Sequence, residues 1–512
     1  MNTALLVLPV LMPLLTACAC AFTFRILWLT SFFSITGAFA TLISAGFILA
    51  NTVELGIQVT AFGNWQAPFG IVFVADRLSA SMVFISSMMG VTISLYSCSD
   101  LKEKSAYPLY HAMIHILLAG VAGSFLTGDI FNLYVWFEVM LIASFGLMTL
   151  DANKAQVSAA IKYVILNLIS TMVLLLAIGL LYGATGSLNM ADIHLKISTV
   201  PQSSQQIIAG LFFFGLAIKS SLFPLFSWLP ASYPHLPSAV VALFAALLTK
   251  VGVYAMIRLF TLIFNVETSG YQTLLMMIAG LTMLTGVLGA ASQFHIKRIL
   301  SFHIISQIGY MLMGLALLTP LALTGAIFYI IHHIIVKANL FLISGYIEKR
   351  FGTDNLANIG GLFKSTPLLA LLFIIPALSL AGFPPLSGFW GKFLVIKASL
   401  QTEHYILAST ALFVSLMTIF SMTKIWTEAF WKPLPDNCTM QPLSRLESLL
   451  YLSPILFLCS LTIIIGLWVE PIYQLAYTAS ENLINPHQYI EAVLSPEAMK
   501  AADSAIMTKA KP

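Results

Sequence analysis

Runs of about twenty apolar residues recur along the whole chain with short connections between them. A helix of that length rises about 30 Å, the thickness of a bilayer's hydrocarbon core. A soluble domain carries about 25% charged residues, whereas this chain of 512 residues has 9% charged and 59% hydrophobic residues. Membrane β-strands would read as alternating segments of about ten residues, and that pattern does not emerge. The chain reads as an all-α polytopic membrane protein.

About fourteen transmembrane helices are expected, near 4–22, 27–50, 72–97, 109–127, 130–150, 158–183, 206–229, 238–262, 271–292, 299–318, 321–346, 367–400, 406–430 and 448–469. The first lacks a basic leader, so it reads as a retained span. Broken helices are expected in spans 7 and 12. Span 7 contains Pro224, which cannot donate a backbone hydrogen bond and clashes with the preceding turn. Span 12 is too long for one straight helix and holds Pro376, Pro384 and Pro385 with Gly382 and Gly388. The polar tail from Glu470 to Pro512 has room for a short surface helix.

The net charge of +4 is informative only through its distribution. Arg25, Lys102, Lys104, Lys154, Lys297, Arg298, Lys349, Arg350, Lys364, Lys432 and Arg445 fall in odd-numbered loops, and the even-numbered loops carry little beyond Lys196. The odd loops should face the cytoplasm, with both termini on the opposite side. Cys18, Cys20, Cys98, Cys438 and Cys459 lie in or beside apolar runs without a CxxC pair and read as packing residues. No cofactor, metal or nucleic-acid partner is expected.

An internal repeat is visible. AIKYVI at Ala160–Ile165 matches AIFYII at Ala326–Ile331, offset by 166. FPLFSW at Phe223–Trp228 matches FPPLSGFW at Phe383–Trp390, offset by 160, and ALFAALLT at Ala242–Thr249 matches ALFVSLMT at Ala411–Thr418, offset by 169. Three matches in one order imply that spans four to eight return as nine to thirteen. Five is odd, so the two copies would be inverted across the membrane. The expected organisation is 1–108 for the first three helices, 109–262 and 271–430 for two inverted five-helix repeats, and 431–512 for the last helix and tail.

A charge at the centre of a span costs about 2.5–3.5 kcal/mol on insertion scales, so it persists where it has partners or a task. Glu138, Lys219, Lys250, Lys337 and Lys392 are so placed, and His333 lies one helical turn before Lys337. Glu138 and Lys219 fall in one repeat and are expected to pair. Desolvation favours a neutral lysine and a nearby carboxylate favours the charged form, so moving the carboxylate would load or release a proton. Lys250 is too far from either span end to snorkel, and it can relay protons if neutral. Lys392 follows the double proline of span 12. His332 points about 100° away from His333 on the helix. His111, His115, His295 and His303 lie nearer span ends and read as structural, and Asp76, Arg77 and Asp129 read as span-edge groups. No phosphate loop or zinc-protease histidine pair is present, so the chain reads as a transporter and not an enzyme.

A Glu in span five, a Lys before the break in seven, a mid-span Lys in eight, HxxxK in eleven and a Lys in broken span twelve resemble the antiporter-like family. That family comprises the proton-pumping membrane subunits of respiratory complex I and the Mrp cation/proton antiporter subunits. More narrowly, GNWQAPFGIVFVADRLSA at Gly63–Ala80 and FNLYVWFEVMLIASFGLM at Phe131–Met148 resemble the D-subunit family of Mrp antiporters, which the length also suits. The resemblance implies fourteen helices and a polar mid-membrane axis. On it, Glu138 and Lys219 regulate, Lys250 and His333/Lys337 relay protons, and Lys392 ends the path. It also implies Na⁺/H⁺ exchange in a bacterial cytoplasmic membrane, with a large A-type subunit and smaller membrane subunits as partners. One rival is a proton-pumping subunit of a redox complex, of complex I or membrane-bound hydrogenase type. The other is a scaffold with a degenerate path, which would have lost charges that are all present here.

Overall fold

The computed structural model describes residues 3–100, 109–266, 270–436 and 438–494. Lys102, Lys104 and the end of the tail lie outside the described residues. Helices α1 (Leu8–Phe22) and α2 (Leu27–Leu55) come first. They expose Phe22, Trp28, Ile43 and Phe47, as helices do that face lipid. Strands β1 (Gln58–Ala61) and β2 (Val72–Ala75) then pair antiparallel, with Gln58 opposite Ala75 and Ala61 opposite Val72. This corrects the expected start of span three: residues 72–75 are strand, and α3 (Arg77–Asp100) begins after them. The apolar run alone could not separate a strand of Val and Phe from the helix that follows.

The chain continues through α4 (Tyr110–Leu126), α5 (Ile130–Met148), α6 (Lys154–Thr185), α7 (Met190–Lys196), α8 (Gln202–Lys219), α9 (Trp228–Ser232) and α10 (Ser238–Leu262). Next come α11 (Gln272–Ala291), α12 (Ile296–Leu317), α13 (Pro320–Phe351), α14 (Leu362–Ser365), α15 (Pro367–Ala381), α16 (Ser387–Gln401) and α17 (Tyr405–Ile425), which runs on as a π-turn to Trp431. The last are α18 (Arg445–Leu467), α19 (Glu470–Ile484) and α20 (His487–Val493). Among the described residues, eleven helical segments are long and apolar enough to cross a membrane, and α4 and α15 are shorter apolar helices.

The offset of 166 recurs in the local structure. Helices α6 and α13 both have 32 residues, and both of their ends differ by 166. Each stops at a glycine in the left-handed region, Gly186 (φ 67°) and Gly352 (φ 70°), where a Cβ would be strained. An isolated bridge joins Asp129 to Asn189, and another joins His295 to Asn355. Asn189 and Asn355 both accept a backbone hydrogen bond from the residue two places on, Ala191 and Ala357.

Four helices form the centre. The most apolar stretches of α10 and α13 are wholly buried, and those of α12 and α3 nearly so, whereas the outer helices bury less than half of theirs. The amphipathic tail helix α19 buries Ala476, Ala479, Ser480 and Leu483 and packs on α13, so it is part of the body and more than a surface appendage. At one end of the centre, Arg258 of α10 meets Asp76 at 2.6 Å, both nearly inaccessible. The Arg258 guanidinium also lies 5.2 Å from the Tyr489 ring of α20. Breaking a buried pair strands the remaining charge. Asp76→Leu should therefore destabilise the protein by about 3–5 kcal/mol, and Asp76→Leu with Arg258→Met should recover most of that loss, measured by thermal unfolding of the purified protein in detergent.

Candidate functional site

Two helix interruptions and the buried helices between them position the candidate groups. Helix α8 stops at Lys219, before Pro224, and helix resumes at Trp228. Ser221 takes a left-handed φ of 57°. The freed backbone groups are re-satisfied, as low-dielectric surroundings require. The Leu222 N–H donates to Ala217 O at 2.9 Å, the Phe223 N–H to Thr282 Oγ1 of α11 at 3.0 Å, and Trp228 Nε1 to Ile218 O at 3.0 Å. Gly252 brings α10 against this break, since a Cβ there would stand 2.6 Å from Ser220 Oγ and 3.3 Å from the Lys219 carbonyl carbon.

The second break, between α15 and α16, is built with similar parts. Gly382 turns the chain at φ 93°, Ser379 Oγ accepts from the Gly388 N–H at 3.1 Å, and Trp390 Nε1 donates to Gly466 O at 2.9 Å. Lys392 sits on the far half-helix and reaches back, donating to Ala381 O at 3.3 Å. Ala381 ends α15 as Lys219 ends α8. The first break thus follows directly on a lysine, and at the second a lysine of the later half-helix reaches back to the end of the earlier one. Lys392 Nζ also donates to Ser415 Oγ at 3.3 Å and lies 4.5 Å from the Tyr310 ring centroid, a cation–π contact.

Between the breaks, Lys250, His333 and Lys337 are fully buried. Lys250 Nζ donates to Ala245 O and Lys337 Nζ to Leu300 O at 3.1 Å. Lys250, Lys337, His332 and Lys392 all lie within electrostatic reach of His333. His303 of α12, expected from its place near a span end to be structural, also belongs here. It is fully buried, within reach of Lys337 and Lys392, with Nε2 2.6 Å from Ser421 Oγ. His332, ranked below His333, has Nδ1 2.8 Å from Ser387 Oγ beside the second break. Position within a span hid His303, and only its packing reveals it.

Glu138 and Lys219 lie within electrostatic reach of each other, but the expected ion pair is not made. Glu138 Oε1 is buried without a hydrogen-bond partner, and Lys219 Nζ sits 4.7 Å from the Phe137 ring centroid. The ring, one residue before Glu138, offers the ammonium its own electron-rich face, and this contact stands where the ion pair was expected.

Buried polar atoms without protein partners gather along the same line: Ser220 and Ser221 at the first break, Thr249 beside Lys250, both nitrogens of His333, His303 Nδ1 and His332 Nε2. Each such atom costs about 1–3 kcal/mol in a packed interior unless it finds a partner. Closely spaced buried bases titrate as a set and cannot all be charged together, so the arrangement can pass protons between groups. Among the described residues, no cluster of three or more His, Cys, Asp or Glu side chains is placed to hold a metal ion.

A family model for the transmembrane region of NADH:quinone oxidoreductase/Mrp antiporter proteins matches residues 127–418. The D subunit of the Na(+)/H(+) antiporter of Alkalihalophilus pseudofirmus is 45% identical over 96% of this chain and 99% of its own length. The structure of the Mrp complex from Dietzia contains a chain that superimposes with TM-score 0.88 at 34% identity, covering 97% of this chain and 100% of that one. A chain of the membrane-bound sulfane sulfur reductase, an archaeal respiratory membrane complex, has TM-score 0.87 at 26% identity, covering 96% of this chain and 100% of that one.

Gly252→Val would press α10 against Ser220. It should destabilise the purified protein by about 1–3 kcal/mol, read by thermal unfolding, whereas Gly280→Ala, with only Leu407 within 4 Å of its Cβ, should have little effect.

Proposed function

Because the chain belongs to the NADH:quinone oxidoreductase/Mrp antiporter family, we propose that it is the D subunit of a multisubunit Na⁺/H⁺ antiporter that carries protons across the membrane along its buried basic groups. The observation that carries this reading is near-full-length similarity to the D subunit of an Na⁺/H⁺ antiporter, joined to the burial of Lys219, Lys250, His333, Lys337 and Lys392 in the helical core. Its partners are a large A-type subunit and smaller membrane subunits. It works in a bacterial cytoplasmic membrane with both termini on the outer side, and it transports without catalysing a chemical conversion. The two five-helix sets are inverted repeats, each contributing one broken helix.

In this mechanism Lys219 exchanges its proton with the buried chain under control of Glu138. The Lys219 ammonium rests on the Phe137 ring. Closing the gap to Glu138 would hold the proton, and opening it would release the proton towards Ser220 and Lys250. Gly252 keeps that transfer short by letting α10 touch the break. Protons then pass through His333 and Lys337, with His303 as an added member, to Lys392. There Tyr310 and Ser415 hold the ammonium beside the second break. The redox-complex reading rests on weaker similarity and predicts proton pumping that depends on a redox substrate.

Inverted vesicles carrying the whole complex test the proposal. Wild type should show a Na⁺-driven change in ΔpH. Lys219→Ala, with assembly intact, should lower it about a hundredfold, as for the loss of a proton-transferring group; unchanged antiport would remove Lys219 from the path. His303→Leu should slow antiport by about tenfold or more, measured in the same vesicles, which a packing histidine would not do.

A further inference from the structure

A second cluster of titratable groups lies outside this axis, in the interface of α2, α3 and α4. One hydroxyl, Ser34 Oγ, stands 2.9 Å from His111 Nδ1 and 3.0 Å from His115 Nε2. It also donates to Ser94 Oγ at 3.2 Å. Ser34, Ser94 and His115 are fully buried and His111 is 7% exposed. The other ring nitrogen of His115, Nδ1, is buried without a protein partner. Towards the loop that follows α3, Ser97 Oγ and Tyr110 OH are 2.6 Å apart. In the other direction, these helices and Pro9 of α1 line a cavity of about 10 Å³, mostly apolar but with Thr41, Ser86 and Ser87 in its wall, room for roughly one water molecule. Those three hydroxyls donate to carbonyls of their own helices, so their lone pairs remain free to accept. From Ser97 to Ser87 is ten residues of helix, about 15 Å, or half the hydrocarbon core.

A packing role would leave each imidazole satisfied, whereas His115 Nδ1 is buried without a protein partner. Here two imidazoles share one hydroxyl, and a hydroxyl both donates and accepts. We propose that His111, Ser34 and His115 form a proton relay, a half-path from the loop side of α3 and α4 to the interior, taking protons from water. It rests on the antiporter reading, because it supplies the same proton current. The step balances. A proton arrives at His111 Nε2, and the Nδ1 proton of His111 moves to Ser34 Oγ. The Ser34 hydroxyl, turned from Ser94 to His115, passes its own proton to His115 Nε2, and a proton leaves from His115 Nδ1. Reversal of the two ring tautomers resets the relay. The other titratable groups near the cluster are Cys20 of α1, Cys98 of α3 and Tyr110 of α4. Among the described residues, no Asp, Glu, Lys or Arg acts electrostatically on either imidazole.

The test uses substitutions that keep the hydrogen bonds but cannot carry a proton. His111→Asn keeps a polar atom near Nδ1, and His115→Gln keeps one near Nε2. Each is measured in the assembled complex in inverted vesicles, beside wild type, Lys219→Ala and Ser34→Thr. The relay predicts that both histidine variants assemble and lose antiport about fivefold or more, while Ser34→Thr, which retains a hydroxyl, stays near wild type. Wild-type rates in both histidine variants overturn the relay, and so does failure of both to assemble, which would make the cluster a packing element. If Lys219→Ala alone loses antiport, the relay falls and the axis stands. If only the histidine variants lose it, the axis falls and the relay stands.

Discussion

The structure depends on the cost of placing a charge in a low-dielectric core. Lys250, Lys337 and Lys392 are all but inaccessible, and no carboxylate forms an ion pair with them among the described residues. Their hydrogen-bond acceptors are backbone carbonyls, together with one serine. Such groups are tolerable only if the surrounding helices hold them firmly and if the charge can leave as a proton. The long wrap of outer helices follows from that need. The most apolar stretches of α10 and α13 are wholly buried, and those of α12 and α3 nearly so.

The two breaks address the same problem from the backbone side. An interrupted helix in a membrane exposes carbonyls that must find donors. At the second break one of those carbonyls, Ala381 O, takes the Lys392 ammonium itself. At the first, the Thr282 hydroxyl of α11 and the Trp228 indole help to satisfy the backbone, and the Lys219 ammonium is left to the Phe137 ring. The two breaks therefore look alike in backbone but hold their lysines differently. One is anchored by hydrogen bonds, and the other is poised beside a carboxylate it does not touch. On the proposed path, that asymmetry would make the first break the controlled end and the second the fixed end.

The tail and the small sheet bind the outer parts to this centre. The Asp76–Arg258 pair joins the start of α3 to the end of α10, and Tyr489 of α20 closes over the guanidinium. A polar segment that hydropathy leaves at the surface is thereby held against the core.

Much of this was legible in the sequence, because bilayer thickness converts directly into run length. The helical class, the proline-marked interruptions and the buried lysines all follow from one-dimensional patterns of apolar and charged residues. The offset of 166 was legible too, and it returns in the bounds of α6 and α13. Contacts between helices were not legible. His303 looked like a span-end histidine until α12 was packed against α13 and α17. Glu138 and Lys219 looked like an ion pair until the Phe137 ring was placed beside the ammonium. His111 and His115 lie one turn apart on α4, but nothing in the sequence ties them to Ser34 of α2. Sequence determines what must be buried, because hydration free energy belongs to each residue; the tertiary structure alone decides which buried groups meet, because hydrogen bonds and charge interactions act over a few ångströms between segments far apart in the chain.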